Sequence, residues 1–268
     1  MRAAALVLLL ATPAWAQVDG SVAPEPRPAD LSGDVAEDPS LDGSDGAEAA
    51  EDDTPAADAS DGIAAGAEAT RDAAPIRETL ALSDEAYATC LAALDEIGAT
   101  YSEVDPIVAA NDPDCGILRP VELSEVLPGI AFEPANPLRC DAALATARWT
   151  RDFVLPATER VGRGDLTAIG HAATYVCRRR NNQPDGKPSE HSFGNAVDVI
   201  SFSFSEGEPI AIMPRERDGT LAEAFQDAVR ASACMEFTTV LGPGSDEYHD
   251  DHLHLDMVER DGGFRLCQ

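Results

Sequence analysis

The chain is short of positive charge, of histidine and of long apolar runs, and each shortage narrows what it can do. Only 19 of its 268 residues are Lys or Arg against 49 Asp or Glu, a formal net charge of −30. Nucleic-acid binding wants a basic face to neutralise phosphates, so this balance argues against nucleic acid as a partner. Past the first few residues no segment approaches the roughly 20 apolar residues that cross a bilayer, so no membrane span is expected after the N-terminal stretch. Six cysteines are present, yet no two stand at Cys-x-x-Cys spacing, which argues against a zinc-thiolate cluster. No internal repeat is visible.

What is there begins with an export signal. Arg2 supplies the positive start, Ala3 to Ala11 the apolar stretch and Ala14-Trp15-Ala16 the small-x-small cleavage site. Residues 1–16 are therefore expected to be a signal peptide, and the protein periplasmic or secreted. An even cysteine count in an exported chain suggests three disulfides. Proximity in sequence points to Cys90 with Cys115 as one pair. From Gln17 to Pro75, 16 Asp or Glu face only Arg27 and Arg71 in a setting of Ala, Gly, Pro and Ser. Such a stretch buries too little apolar surface to offset the entropy of ordering it, so residues 17–75 are expected to be a disordered acidic linker.

Residues 76–268 are long enough for one domain with a proper core, expected to be monomeric. Ser83, with Asp84 and Glu85 behind it, predicts a helix through Tyr87, Leu91, Leu94 and Ile97. Proline and glycine then break the chain up to Pro137. A second helix is predicted over Asp141 to Arg160, bent by Pro156, with Trp149 in the core. Strands are predicted at Thr167–Cys177, Ala196–Phe204, Glu236–Leu241 and Asp251–Val258. Thr220 and Glu223 predict a capping box for a helix through Leu221, Phe225 and Val229. The mixture predicts an α+β fold around a mostly antiparallel sheet.

The chemistry gathers in two motifs that hold four of the five histidines, Ser189-Glu190-His191-Ser192-Phe193-Gly194-Asn195-Ala196-Val197-Asp198 and His249-Asp250-Asp251-His252-Leu253-His254. Imidazoles concentrated beside carboxylates suit a divalent metal. His191 and Asp198 lie too far apart for one helix turn, so a loop running into a strand must bring them together, with Gly194 turning the chain. Strand alternation puts His252, His254 and Asp256 on one face and Asp251 and Leu253 on the other. His191, Asp198 and one histidine of the pair would leave a fourth zinc position open, as in a catalytic site.

Ser-x-His-x-x-Gly-x-Ala-x-Asp followed by His-x-His resembles the metallopeptidases that include D-alanyl-D-alanine carboxypeptidases, peptidoglycan endopeptidases and the fold-related hedgehog domain. More narrowly, Cys140, Tyr175-Val176-Cys177-Arg178, the Ser189 motif and His252-Leu253-His254-Leu255-Asp256 resemble the bacterial extensin-like C-terminal domain family, over most of Cys90 to Cys267. The resemblance implies Zn2+ held by His191, Asp198 and His254. It leaves the base between His252 and Asp251; strand alternation, which puts His252 on the ligands' face, favours His252, with Asp251 instead if a bulge rotates the strand. It implies Arg178 on the substrate carboxylate or oxyanion, with Arg179 and Arg180 as neighbours for that role. Ser189 is expected to hydrogen-bond near the ligand loop, and Glu190 to be exposed. The implied activity is hydrolysis of amide bonds in peptidoglycan peptides. The rivals are a wall-binding domain that keeps zinc without turnover, and an iron-binding facial triad, whose usual His-x-Asp spacing His191 and Asp198 do not match.

Overall fold

The computed structural model describes residues 74–215, 217 and 219–268. The signal peptide (1–16) and all but the last two residues of the acidic linker (17–75) lie outside the described residues.

Helix α1 (Asp84–Ile97) begins where predicted, with Ser83 Oγ accepting from Ala86 N at 3.2 Å, and stops at Gly98 in the left-handed region (φ 81°). Three strands of the main sheet follow, β1 (Thr100–Glu103), β2 (Pro120–Leu127) and β3 (Ile130–Arg139), with a separate two-stranded pair, Ile107–Val108 and Gly116–Ile117, between the first two. These occupy the stretch that proline and glycine appeared to break. Pro134 is tolerated because of where it sits. Pro134 lies beyond the last β3 pair with the next strand, Glu133 with Gly170, and inside a gap in its pairing with β2. A missing amide hydrogen removes no ladder bond there.

Helix α2 (Cys140–Trp149) runs into a π-helical turn (Thr150–Val154) and a last short α-turn, Leu155–Thr158. The predicted bend at Pro156 therefore takes the form of a widened turn just ahead of the proline, which lacks the amide hydrogen for an i−4 bond. Strand β4 (Leu166–Ala173) ends four residues before the predicted Cys177, β5 (Ala196–Phe204) has the predicted bounds, and α3 (Leu221–Ala233) starts with Thr220 Oγ1 accepting from Glu223 N at 3.1 Å. The closing strands β6 (Thr239–Leu241), β7 (Leu253–Asp256) and β8 (Leu266–Cys267) are short.

One nine-stranded sheet results, in the order β1-β2-β3-β4-β5-β7-β6-β8, with Ile210–Ala211 as a side branch on β5. Every pairing is antiparallel except β3 with β4 and β6 with β8. The fold is α+β, a largely antiparallel sheet flanked by helices. Trp149 is fully buried, edge-on to Phe202 and Phe237, and its indole N–H donates to Val229 O at 3.1 Å. A tryptophan is buried well only when its N–H finds such a partner.

The described cysteines form three disulfides, with none free. The pairs are Cys90–Cys140, Cys115–Cys177 and Cys234–Cys267, so the expected Cys90–Cys115 pair is corrected. Nearness along the chain misled because the sheet, not the sequence, sets which thiols meet: α1 packs beside the start of α2 and carries Cys90 to Cys140.

Candidate metal centre

The centre is built where β5 and β7 lie side by side. Asp198 stands directly across from His254, while Val197 and Val199 on one strand and Leu253 and Leu255 on the other turn into the core. Period-two alternation thus sends the polar residues to one face and the apolar ones to the opposite face. His191 arrives from the side on a single 3-10 turn (Glu190–Phe193) that Gly194 closes at φ 65°. A side chain at Gly194 would place its Cβ 2.2 Å from Ile117 Cδ1. Gly194→Ala is expected to destabilise the fold by about 1–3 kcal/mol through strain and overpacking. Chemical denaturation checks this, and an unchanged midpoint would contradict it.

Three side-chain atoms converge. His191 Nε2 is 3.0 Å from Asp198 Oδ1 and 3.2 Å from His254 Nδ1, and His254 Nδ1 is 2.9 Å from Asp198 Oδ1. The outward nitrogens fix what those atoms carry. His191 Nδ1 donates to Thr174 O at 2.9 Å, and His254 Nε2 donates to Asp256 Oδ2 at 3.1 Å. Each imidazole has spent its one neutral-state hydrogen outward, so two nitrogen lone pairs and a carboxylate oxygen face one another. Such a trio could hold a cation between its members. Ligands at zinc's usual 2.0–2.1 Å in tetrahedral array stand about 3.3 Å apart, within a few tenths of what is found here.

The electrostatics follow the same logic. Burial works against an ionised Asp198, but the adjoining His191 and His254 imidazoles outweigh it and hold the carboxyl far below the usual range. Burial likewise opposes a charged His254, and the carboxylates of Asp198 and Asp256 override it, raising its pKa to about 9. A site that draws a proton this strongly is a site of negative potential. Asp256 is itself held, accepting from Val258 N at 3.0 Å and from the Thr239 hydroxyl, which accepts in turn from Arg260 at 2.7 Å.

His252, one residue before β7, has Nε2 3.5 Å from Asp198 Oδ1 and Nδ1 2.8 Å from Asp251 Oδ1. Asp251 is exposed and is tied to the centre through that contact with His252. His249 packs 5.3 Å from the His252 ring with Nδ1 on Asp246, and burial lowers its pKa against the pull of that carboxylate. The fifth histidine, His171, stands apart from the cluster, stacked on Phe132 with Nε2 on Pro134 O.

A cavity of about 240 Å³ opens over the cluster, lined by His249, His252, His254, Asp256, Arg178 and Arg260 among others. No described carboxylate pairs with the Arg178 guanidinium. Its neighbours are engaged elsewhere: Arg179 with Asp112 at 3.1 Å and Arg180 with Glu190 at 3.4 Å.

One expectation needs correction. Glu190 is buried, not exposed, because the 3-10 turn folds its carboxylate inward onto Asn195 Nδ2 at 2.8 Å. Ser189 hydrogen-bonds at the ligand turn as expected, through its backbone: its N–H donates to Arg178 O and its carbonyl accepts from Ser192 N, while Ser192 supplies the hydroxyl that ties the turn down. Ser192 Oγ accepts from Arg178 N at 3.0 Å and donates to Arg178 O at 2.8 Å. Sequence reasoning passed over Ser192, Thr239 and Arg260. Only Ser192 lay inside a motif that could have drawn attention. Among the described residues the one other group with metal-ligand spacing is Asp112, Cys115 and Cys177, and its two sulfurs are already joined to each other.

The family model for the extensin-like protein C-terminus matches residues 88–268. The chain belongs to the extensin-like C-terminal family. No curated protein and no solved structure matches it. The matched span of this extensin-like domain holds all three members of the cluster, the cavity over it and the six cysteines.

Proposed function

We propose that this extensin-like domain is an exported zinc peptidase that hydrolyses amide bonds in the stem peptides or cross-links of peptidoglycan. The observation that carries the reading is the convergence of His191 Nε2, Asp198 Oδ1 and His254 Nδ1 within 3.2 Å of one another under an open polar cavity. These three residues would hold the metal, one ligand short of zinc's usual four. Bound there, zinc would polarise a carbonyl and acidify a water.

The chain's own residues supply the rest. His252 donates from Nδ1 to Asp251, which leaves the Nε2 lone pair turned toward Asp198. Nε2 accepts the proton of the attacking water and returns it to the leaving amine. Asp251 fixes the tautomer and stabilises the imidazolium between those steps. Arg178, with its donors uncommitted, binds the oxyanion or a substrate carboxylate through its planar fork. The relay from Arg260 through Thr239 and Asp256 to His254 keeps that imidazole's Nδ1 aimed inward.

Export is supported by three disulfides, which persist in oxidising compartments. A wall peptide is the amide substrate an exported bacterial domain of this kind meets. Purified protein incubated with sacculi should release peptide fragments identifiable by mass, and a chelator should stop the release. Zinc at one per chain with no fragments released would sink the peptidase reading and leave a zinc-bearing wall binder. Asp256→Asn, which keeps the shape but removes the carboxylate behind His254, is expected to weaken zinc binding about 10–100-fold. Competition with a chromophoric chelator measures it.

A further inference from the structure

The cavity over the cluster has a neighbour. On the other side of Glu190 lies a second cavity of about 530 Å³, a size that holds a small polar ligand. Arg180 and Glu190 line both, so the two form one cleft divided by that pair. The far half combines apolar surface from Leu80, Phe193 and Met257 with charges of both signs.

Its charges are unevenly committed. Arg139 is taken up by Asp141 and Asn195. Glu190 is buried, yet only its Oε2 has a short partner, Asn195 Nδ2 at 2.8 Å. Oε1 meets the Arg180 guanidinium at 3.4 Å, and that side chain is 52 % exposed, so the pair is long and half in water. Ion pairs of that kind contribute little. Lys187 and Glu259 line the same half-cleft and form an ion pair with no described residue.

A buried carboxylate with room for a better cation, beside two cations with room for an anion, suits a ligand bearing both charges. The geometry points to a subsite for an α-amino-acid head, an ammonium and a carboxylate on one carbon. The ammonium takes Glu190 Oε1 in place of Arg180, and the carboxylate is met by the released Arg180 fork and by Lys187. A ligand with one charge would leave half of these groups unpaired, which is how such a site discriminates. The inference rests on the peptidase reading in one respect: the head belongs to a peptide whose scissile amide reaches the neighbouring cavity. The substrate class is then a peptide carrying a diamino acid with a free head.

The probe is 2,6-diaminopimelic acid, which has such a head at each end. Heptanedioic acid removes its ammonium groups and pentane-1,5-diamine its carboxylates. Calorimetric titration of the full chain should show saturable binding of the probe and at least tenfold weaker binding of either analogue. Glu190→Gln, and separately Lys187→Glu on the exposed rim, where folding is not at stake, should each weaken the probe about tenfold or more. No saturable binding, equal binding of the analogues, or an affinity untouched by Lys187→Glu would overturn the subsite. Sacculus hydrolysis by a protein that ignores the probe would refute the subsite and leave the peptidase standing. Probe binding without hydrolysis would do the reverse.

Discussion

His191→Ala is expected to abolish both zinc retention and release of peptide fragments from sacculi. The substitution removes one of three converging donors and leaves Asp198 Oδ1 and His254 Nδ1 as the remaining pair. Loss of a direct ligand should exceed the 10–100-fold typical of losing an outer partner, so dialysed protein should carry close to no metal. The side chain is fully buried and its Nδ1 donates to Thr174 O, so the change also weakens the fold. A carboxylate left buried with fewer partners costs about 3–5 kcal/mol. Zinc content is therefore to be measured at low temperature on protein whose circular dichroism matches the parent. Parent-level hydrolysis by folded, metal-free His191→Ala protein would refute the metal reading outright.

Removal of the Cys115–Cys177 disulfide, by Cys115→Ala with Cys177→Ala, is expected to cost stability and metal affinity together. The bridge closes a loop with a sequence separation of 62, worth about 4 kcal/mol of chain entropy. A drop of roughly 10 °C in Tm should follow. The effect on metal arises because the tethered segment holds the ligand turn in place. Thr174 O accepts from His191 Nδ1, Val176 N donates to His191 O, and both backbone groups of Arg178 bond Ser192 Oγ. None of these residues belongs to a strand, so the disulfide and the Arg179–Asp112 ion pair anchor the segment alongside the Arg179–Pro188 backbone bridge. The Cys234–Cys267 bridge, with a separation of 33, provides the comparison, since it ties the end of α3 to β8. Its removal should lower Tm by a similar amount and leave zinc affinity unchanged. Equal effects of both double substitutions on zinc affinity would show that the loss is global softening and not misplacement of the His191 turn.

Much of the centre was legible in the linear chain because local rules carry it. Alternation along Leu253–Asp256 requires His254 and Asp256 to share a face whatever the strand pairs with, and Gly194 marks a turn that other residues adopt at a cost. The helix starts at Ser83 and Thr220 were equally local, each set by a side-chain oxygen three residues from the amide it caps. The strands β2 and β3 were missed because proline counts as a breaker only if its position in the ladder needs a hydrogen bond, and the neighbours decide that. Glu190 was misplaced for a related reason. A glutamate among polar residues looks exposed until Asn195 and Arg180 are known to sit around it.

The sequence by itself determined that imidazoles and carboxylates gather in two short motifs, the α+β class and the presence of a disulfide framework, since residue type and short-range periodicity suffice for these. Tertiary structure alone decided that Asp198 stands opposite His254, that Cys115 meets Cys177, and that Glu190 divides one cleft into two. Those are contacts between residues far apart in the chain, fixed by sheet register and by how loops return to it, and no local preference encodes them.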